Sequence, residues 1–165
     1  TNPNDISQFL EPINKGFDIG IISDAGCPGI ADPGSEVVKL AHKKDIQIVP
    51  FVGPSSILLA LISSGMNGQN FSFHGYLPKE RGERISNLKQ LESKCKKETQ
   101  IFMDTPFRNM NLLEDILKNC QENTMLCIAC DITLENEFIR TNSISFWKKN
   151  LPNLSKRPCL FLLGN

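Results

Sequence analysis

The sequence has 165 residues, enough for one ordinary domain or two small ones. Apolar residues make up 40% and charged residues 22%, and 18 basic side chains cancel 18 acidic ones. That balance excludes a global positive field, so any affinity for nucleic acid must rest on a local basic patch. No apolar run reaches the length of a membrane span, and no signal-peptide pattern opens the chain. Thr1-Asn2-Pro3-Asn4-Asp5 reads instead as the capped start of a helix inside a larger protein, without an initiating Met. It points to a fragment whose N-terminal domain is truncated.

In chain order, a helix is expected from Ile6 to Ile13, closed by Gly16, and a short apolar strand from Phe17 to Ile22. The loop from Ser23 follows. Asp32-Pro33-Gly34 is expected to open the next helix, with Asp32 as N-cap, Pro33 in the first turn, and Val37, Val38, Leu40 and Ala41 facing inward. Lys43 and Lys44 sit well at its C-terminus. Ile46 to Val52 is the next expected strand, and Gly53-Pro54-Ser55-Ser56 turns it into an apolar helix ending at Gly65. Strand–loop–helix units of this kind imply an α/β fold with a mostly parallel sheet. Two strands are too few for a stable sheet, which again points to strands upstream.

The polar cluster Asn67-Gly68-Gln69-Asn70 is the expected boundary between a domain over 1–69 and a second over 70–165. Beyond it come a strand at Phe71-Ser72-Phe73 and a charged helix from Arg81 to Lys97, with Ile85, Leu88, Leu91 and Cys95 inward. A strand from Gln100 to Met103 follows, and then a helix opened by Thr105-Pro106 with Met110, Leu113, Ile116, Leu117 and Cys120 inward. Strands are expected at Met125 to Ile132, Glu137 to Arg140 and Pro158 to Leu163, and Ser143 caps a short helix through Trp147.

Six cysteines are present. Cys127 and Cys130 form a lone C-x-x-C, a spacing used for zinc or redox chemistry. Here it lies in a strand pattern, where residues three apart point to opposite faces. No second C-x-x-C accompanies it, and His42 and His74 are scattered. The expectation is therefore six buried structural thiols, no metal site, and a reducing cytoplasmic setting.

The chemistry concentrates in loops that end strands. Ser23-Asp24-Ala25-Gly26-Cys27-Pro28-Gly29-Ile30-Ala31-Asp32-Pro33-Gly34 is rich in small residues that let a ligand approach the backbone, at the strand edge where open α/β sheets bind ligands. A tight crossover whose glycines serve only the turn explains the same spacing equally well. Neither a Walker-type loop nor G-x-G-x-x-G is present, and the commonest hydrolase motifs are missing too.

That loop, with Gly53-Pro54-Ser55-Ser56, Phe73-His74-Gly75-Tyr76-Leu77-Pro78 and Asp104-Thr105-Pro106-Phe107-Arg108, closely resembles the tetrapyrrole-methylase superfamily of S-adenosylmethionine-dependent methyltransferases. Within it, the motifs most resemble the bacterial enzymes that methylate a cytidine ribose 2′-hydroxyl in small-subunit ribosomal RNA. The resemblance implies two α/β domains with a donor cleft between them and a homodimer. Asp24, Ala25, Gly26, Ile30 and Ala31 would hold the donor, S-adenosylmethionine, with Pro54, Ser55, Thr105, Pro106 and Pro158. Asp24 and Asp104 are candidate bases, although capping or structural hydrogen bonding accounts for each as well. Lys79, Arg81, Arg84 and Arg108 are candidate contacts to RNA phosphates, set against a reading of the first three as a solvated, salt-bridged helix face. His74 is read as a satisfied strand histidine or an acceptor contact, and Trp147 as a core or dimer residue.

Cys130-Asp131 stands where the family carries an Arg-Glu pair, and Phe107 where it carries a His. Two alternatives to ribosomal RNA methylation follow. One is C-methylation of a tetrapyrrole on the same fold; the other is a domain that binds the donor without turnover.

Overall fold

The computed structural model describes residues 3–165, and the chain divides into two compact units, residues 1–55 and 56–165. Among the described residues no helix is long and apolar enough to cross a membrane. The expected helix cap at Thr1 and Asn2 lies outside the described residues.

In the first unit, α1 spans Pro3–Gln8 and a 3-10 turn spans Glu11–Lys15, so the single helix expected from Ile6 to Ile13 is broken in two. Pro12 accounts for the break, because it has no N–H to continue the ladder and suits a first turn. Gly16 closes the turn in the left-handed conformation, φ 83°. Helix α2 spans Ser35–Lys43. The Asp32 cap and the Pro33 first turn do not form: Gly34 is the N-cap, at φ 137°, and its carbonyl accepts from the amides of Val37 and Val38. Only a residue without Cβ takes that conformation cheaply. Ala41 is buried, while Val37, Val38 and Leu40 are half-buried.

The strands expected at Phe17–Ile22 and Ile46–Val52 do not pair among the described residues. A strand exists only through a neighbour that takes its backbone hydrogen bonds. Ile22 is 91% exposed and Phe51 90% exposed, so their apolar side chains are uncovered as well.

The second unit is built on five strands: β1 Phe71–Tyr76, β2 Thr99–Met103, β3 Met125–Cys130, β4 Phe138–Ser143 and β5 Cys159–Gly164. Their order is β1-β2-β5-β3-β4. Strands β1 and β2 are parallel; β5 runs antiparallel to β2 and β3, and β4 antiparallel to β3. The C-terminal ends of β1, β2 and β3 therefore share one rim with the starts of β4 and β5. Ligand-binding residues gather at such a rim in α/β sheets.

Both faces of the sheet are covered, which is why β3 and β5 read as unbroken apolar runs. One face carries Phe102, Ile128, Cys130, Cys159 and Phe161 against α4 (Arg81–Lys94), α5 (Asn109–Asn119) and α6 (Ile144–Lys149). The other carries Ile101, Cys127, Ala129, Leu160 and Leu162 against α3 (Ser56–Ser64). The apolar helix before Gly65 thus packs on this sheet. Leu88 and Leu91 on α4 and Cys95 at its C-cap are buried as expected, and Ile85 is half-buried.

Helix α5 begins at Asn109, not at Thr105-Pro106, because that dipeptide forms a turn in which the Arg108 amide donates to the Thr105 carbonyl, 2.8 Å. Ser143 caps α6 as expected, accepting from the Phe146 amide. Trp147 lies in the core, with its indole N–H donating to the Leu126 carbonyl at 2.9 Å.

Cys127 and Cys130 do face opposite sides of the sheet, but the expectation of six free thiols fails: Cys130 and Cys159 are disulfide-linked. Cys27, half-buried, and Cys95, Cys120 and Cys127, all buried, remain free. The pairing comes from β3 and β5 lying side by side with Cys130 opposite Cys159, a neighbourhood that spacing along the chain does not reveal.

Burial pushes the Cys120 thiol up to about 12, with nearby Glu92 adding to it. The folded state thus holds this proton where an unfolded thiol loses it near pH 9. Stability contributed by Cys120 should be fully present below pH 9 and fall as pH rises towards 12. Denaturant midpoints of wild type and Cys120→Ala across that range check the prediction: the wild-type curve should drop more steeply.

Candidate functional site

In the first unit the expected donor loop is held by its own backbone. The Ser23 hydroxyl donates to the Ala25 carbonyl at 3.0 Å, and the Ala25 amide donates back to Ser23 Oγ at 3.3 Å. The Ile30 amide donates to the Cys27 carbonyl, 3.3 Å. Gly26, Gly29 and Ala31 all have positive φ, 77°, 79° and 55°. Ala31 is the informative one, since a residue with Cβ rarely adopts this conformation.

The second loop, with Pro54 and Ser55, lies against the first. Cys27 Sγ donates to the Pro54 carbonyl, 3.3 Å. This contact brings two separately predicted segments together, and Cys27 is the residue that sequence reasoning left among the structural thiols. Asp24, Ala25, Gly26, Ile30, Ala31 and Pro54 are exposed, and Ser55 is half-buried. A carboxylate, an apolar Ile30 and turned backbone are thus open to solvent on one pair of loops.

In the second unit, the rim of the sheet carries the other predicted residues. Asp104 follows β2, its side chain 1% exposed. Its Oδ1 accepts from the Thr105 amide at 2.7 Å and from Arg108. Asp104 Oδ2, Arg108 Nε and Asn109 Oδ1 are buried without a hydrogen-bond partner among the described residues. Thr105 and Pro106 are half-buried and Phe107 is 79% exposed.

Pro106 accepts through its carbonyl from the Lys156 amide, 3.2 Å, and Asn109 Nδ2 donates to the Arg157 carbonyl at 2.6 Å. Arg157 Nε donates to Asp131 Oδ2, 2.7 Å, while the Asp131 amide donates to the Pro158 carbonyl, 3.0 Å. Residues 104–109, 131 and 156–158 are thereby one connected network around the predicted Thr105, Pro106 and Pro158. Asn109, Asp131 and Arg157 had no signal as members of it, because their separations of 26 residues or more reflect only the strand order.

The basic cluster is mostly committed within the unit. Arg84 is buried and donates Nη2 and Nε to Asp115 Oδ2, at 2.6 and 3.0 Å, and Nη1 to the Pro78 and Lys79 carbonyls. Arg81 Nε donates to Asp115 Oδ1 at 3.0 Å, with its side chain still 62% exposed. Arg108 pairs with Asp104. Lys79 is exposed. His74 Nε2 lies 2.8 Å from Gln100 Oε1.

No family model matches the chain. Over 161 residues it is 37% identical to "Ribosomal RNA small subunit methyltransferase I" of Halalkalibacterium halodurans, covering 96% of this chain and 54% of that protein. The Buchnera aphidicola (subsp. Schizaphis graminum) protein of the same name is 35% identical over 143 residues, 85% of this chain and 50% of that one. The model resembles the crystal structure of the methyltransferase CobJ with a TM-score of 0.67 and 16% identity, over 100% of this chain and 72% of that one. The chain is thus similar to proteins named ribosomal RNA small subunit methyltransferase I along nearly its whole length, and it shares its fold with the methyltransferase CobJ. It spans about half the length of the two relatives named. The mixed α/β class expected from the superfamily is the one observed, and the likeness to CobJ concerns the fold.

Proposed function

We propose that the chain is part of an S-adenosylmethionine-dependent methyltransferase that 2′-O-methylates a ribose in small-subunit ribosomal RNA. The observation that carries this is the 37% identity, across 96% of the chain, to a protein named ribosomal RNA small subunit methyltransferase I; the match takes in every predicted donor residue. On this reading 1–69 supplies the donor loops and 70–165 the strand-end residues. Asp24, Ala25, Gly26, Ile30, Ala31, Pro54 and Ser55 are the proposed donor residues of the first unit, and Thr105, Pro106 and the backbone at Pro158 those of the second. Ribosomal RNA as acceptor makes the protein cytoplasmic, and we extend the family's expectation of a homodimer to it.

The donor brings its own electrophile, a methyl group on a sulfonium centre, so the residues need only bind and align. Carbonyl oxygens and the Asp24 carboxylate suit the cation; turned backbone and Ile30 suit the adenine. Bound there, the donor would supply the methyl group to a ribose oxygen and keep the carbon–sulfur electron pair on sulfur. The hydroxyl proton must leave to a base or to water. Asp24, exposed and without an ion pair among the described residues, is the candidate base we favour for it; Asp104, buried against Arg108, positions the Thr105 turn. Lys79 and the exposed part of Arg81 are the proposed phosphate contacts.

Calorimetry with S-adenosylmethionine, on this chain and in the full protein, tests donor binding. Asp24→Ala should weaken it about tenfold, the loss of one charge-assisted contact. Labelled donor with small-subunit RNA should give methylated RNA. Transfer to a tetrapyrrole and never to RNA would establish the alternative acceptor, and donor binding without any transfer would establish a non-catalytic domain.

A further inference from the structure

We infer that Cys130 and Cys159 are a reversible thiol–disulfide pair, a redox modification site that sets the geometry of the sheet rim. The pair stands directly opposed on antiparallel strands β3 and β5, Cα to Cα 4.2 Å. The next pair along, Asp131 and Pro158, is joined by the Asp131 N–H to Pro158 C=O bond. Cys130 and Cys159 therefore occupy a non-hydrogen-bonded position, where opposed side chains come closest. They are also the last pair before the rim. Asp131 follows one strand end and accepts from Arg157 Nε; Arg157 and Pro158 precede the other. Whatever moves these two ends moves the network around Pro106 and Asn109.

Oxidation state has to move them. Bonded sulfurs stand ~2 Å apart, while unbonded ones need roughly twice that. Cys130 is fully buried and Cys159 7% exposed, both within the packed face of the sheet. The added separation has no free volume to take, so the dithiol form must rotate a side chain out of place or part the strand ends. The strand ends are the softer element, being held beyond the pair by the Asp131–Pro158 bond and the Arg157 contacts.

With glutathione disulfide as oxidant, the Cys159 thiolate attacks one glutathione sulfur and releases one glutathione thiolate. The Cys130 thiolate then attacks Cys159 Sγ, forming the protein disulfide and releasing the second. The two thiol protons pass to the two glutathione thiolates; the protein loses two electrons and glutathione disulfide gains them.

The chain is equilibrated in glutathione buffers from fully reduced to fully oxidised, quenched, and its thiols counted under denaturation. Six should fall reversibly to four, with peptide mapping placing the bond between Cys130 and Cys159. Hydrogen exchange at the Asp131 amide should be about tenfold faster in the dithiol form than in the disulfide form, as expected for a low-stability strand end. Cys127→Ala should leave both effects intact, and Cys159→Ala should abolish the thiol change. Six thiols under excess glutathione disulfide, a bond between other cysteines, or equal Asp131 exchange in both states would overturn the inference. Its functional consequence rests on the donor reading above: S-adenosylmethionine should bind about fivefold more tightly to the disulfide form. Failure of both forms to bind the donor refutes that reading, while thiol count and exchange still decide the redox pair.

Discussion

Asp115→Ala is expected to cost the second unit about 3–5 kcal/mol, enough to remove most of the stability of a domain this size. The Asp115 side chain is 3% exposed, and it accepts from Arg81 Nε and from both Nε and Nη2 of Arg84. Arg84 itself is only 9% exposed through its side chain. Truncating the carboxylate strands a guanidinium charge beneath α4 and α5, and desolvation without a partner is what makes such changes severe. The same arginine holds the Pro78 and Lys79 carbonyls, so the Gly75–Pro78 motif should loosen along with the helices. Urea unfolding measures the cost. The paired replacement Asp115→Leu with Arg84→Met should recover most of it, because no charge is then left buried. A single-variant cost below about 1 kcal/mol, the range of surface pairs, would mean that Arg84 reaches water and the account is wrong.

Asp104→Ala should act on stability and on the donor together. Its carboxylate is buried, pairs with Arg108, and receives the amide of Thr105. Removal leaves that amide and a mostly buried guanidinium without their acceptor, a loss of about 3 kcal/mol. The turn from Thr105 to Arg108 should relax, and S-adenosylmethionine affinity should fall about tenfold if Thr105 and Pro106 contact the donor as proposed. Asp104→Asn keeps an oxygen for the Thr105 amide, so it should recover much of the affinity while still losing the charge pair. Normal donor binding with a collapsed turnover rate in Asp104→Asn would instead identify Asp104 as the proton acceptor. Calorimetry and single-turnover kinetics on the two variants separate these results.

The second unit was largely legible before its structure was known. β3 and β5 announce themselves as continuous apolar runs because both faces of the sheet are covered. α5 shows its buried stripe at helical spacing, and α6 shows its Ser143 cap. Where reading failed, a local rule lost to a contact it could not contain. Thr105-Pro106 has the chemistry of a helix start, but Asp104 and Arg108 close on each other across a turn and delay the helix to Asn109. Asp32-Pro33 loses its cap to Gly34 for a similar reason, the positive φ there setting where α2 can begin. Phe17–Ile22 and Ile46–Val52 have strand composition, yet pairing is not a property of one segment.

Residue types and spacing carry the four motifs of the resemblance, the order of helices and strands in the second unit, and the placing of Cys127 and Cys130 on opposite sheet faces. Each of these depends on residue type and period along one stretch of chain. Tertiary structure alone decided that Arg84 belongs to Asp115, that Cys27 reaches the Pro54 loop, and that Cys130 is joined to Cys159. It also decided that Asn109, Asp131 and Arg157 brace the rim carrying Thr105, Pro106 and Pro158. These partners are 26 to 48 residues apart. Those of the second unit meet through the strand order β1-β2-β5-β3-β4 and the packing of helices on its faces, and Cys27 meets Pro54 where two loops of the first unit touch.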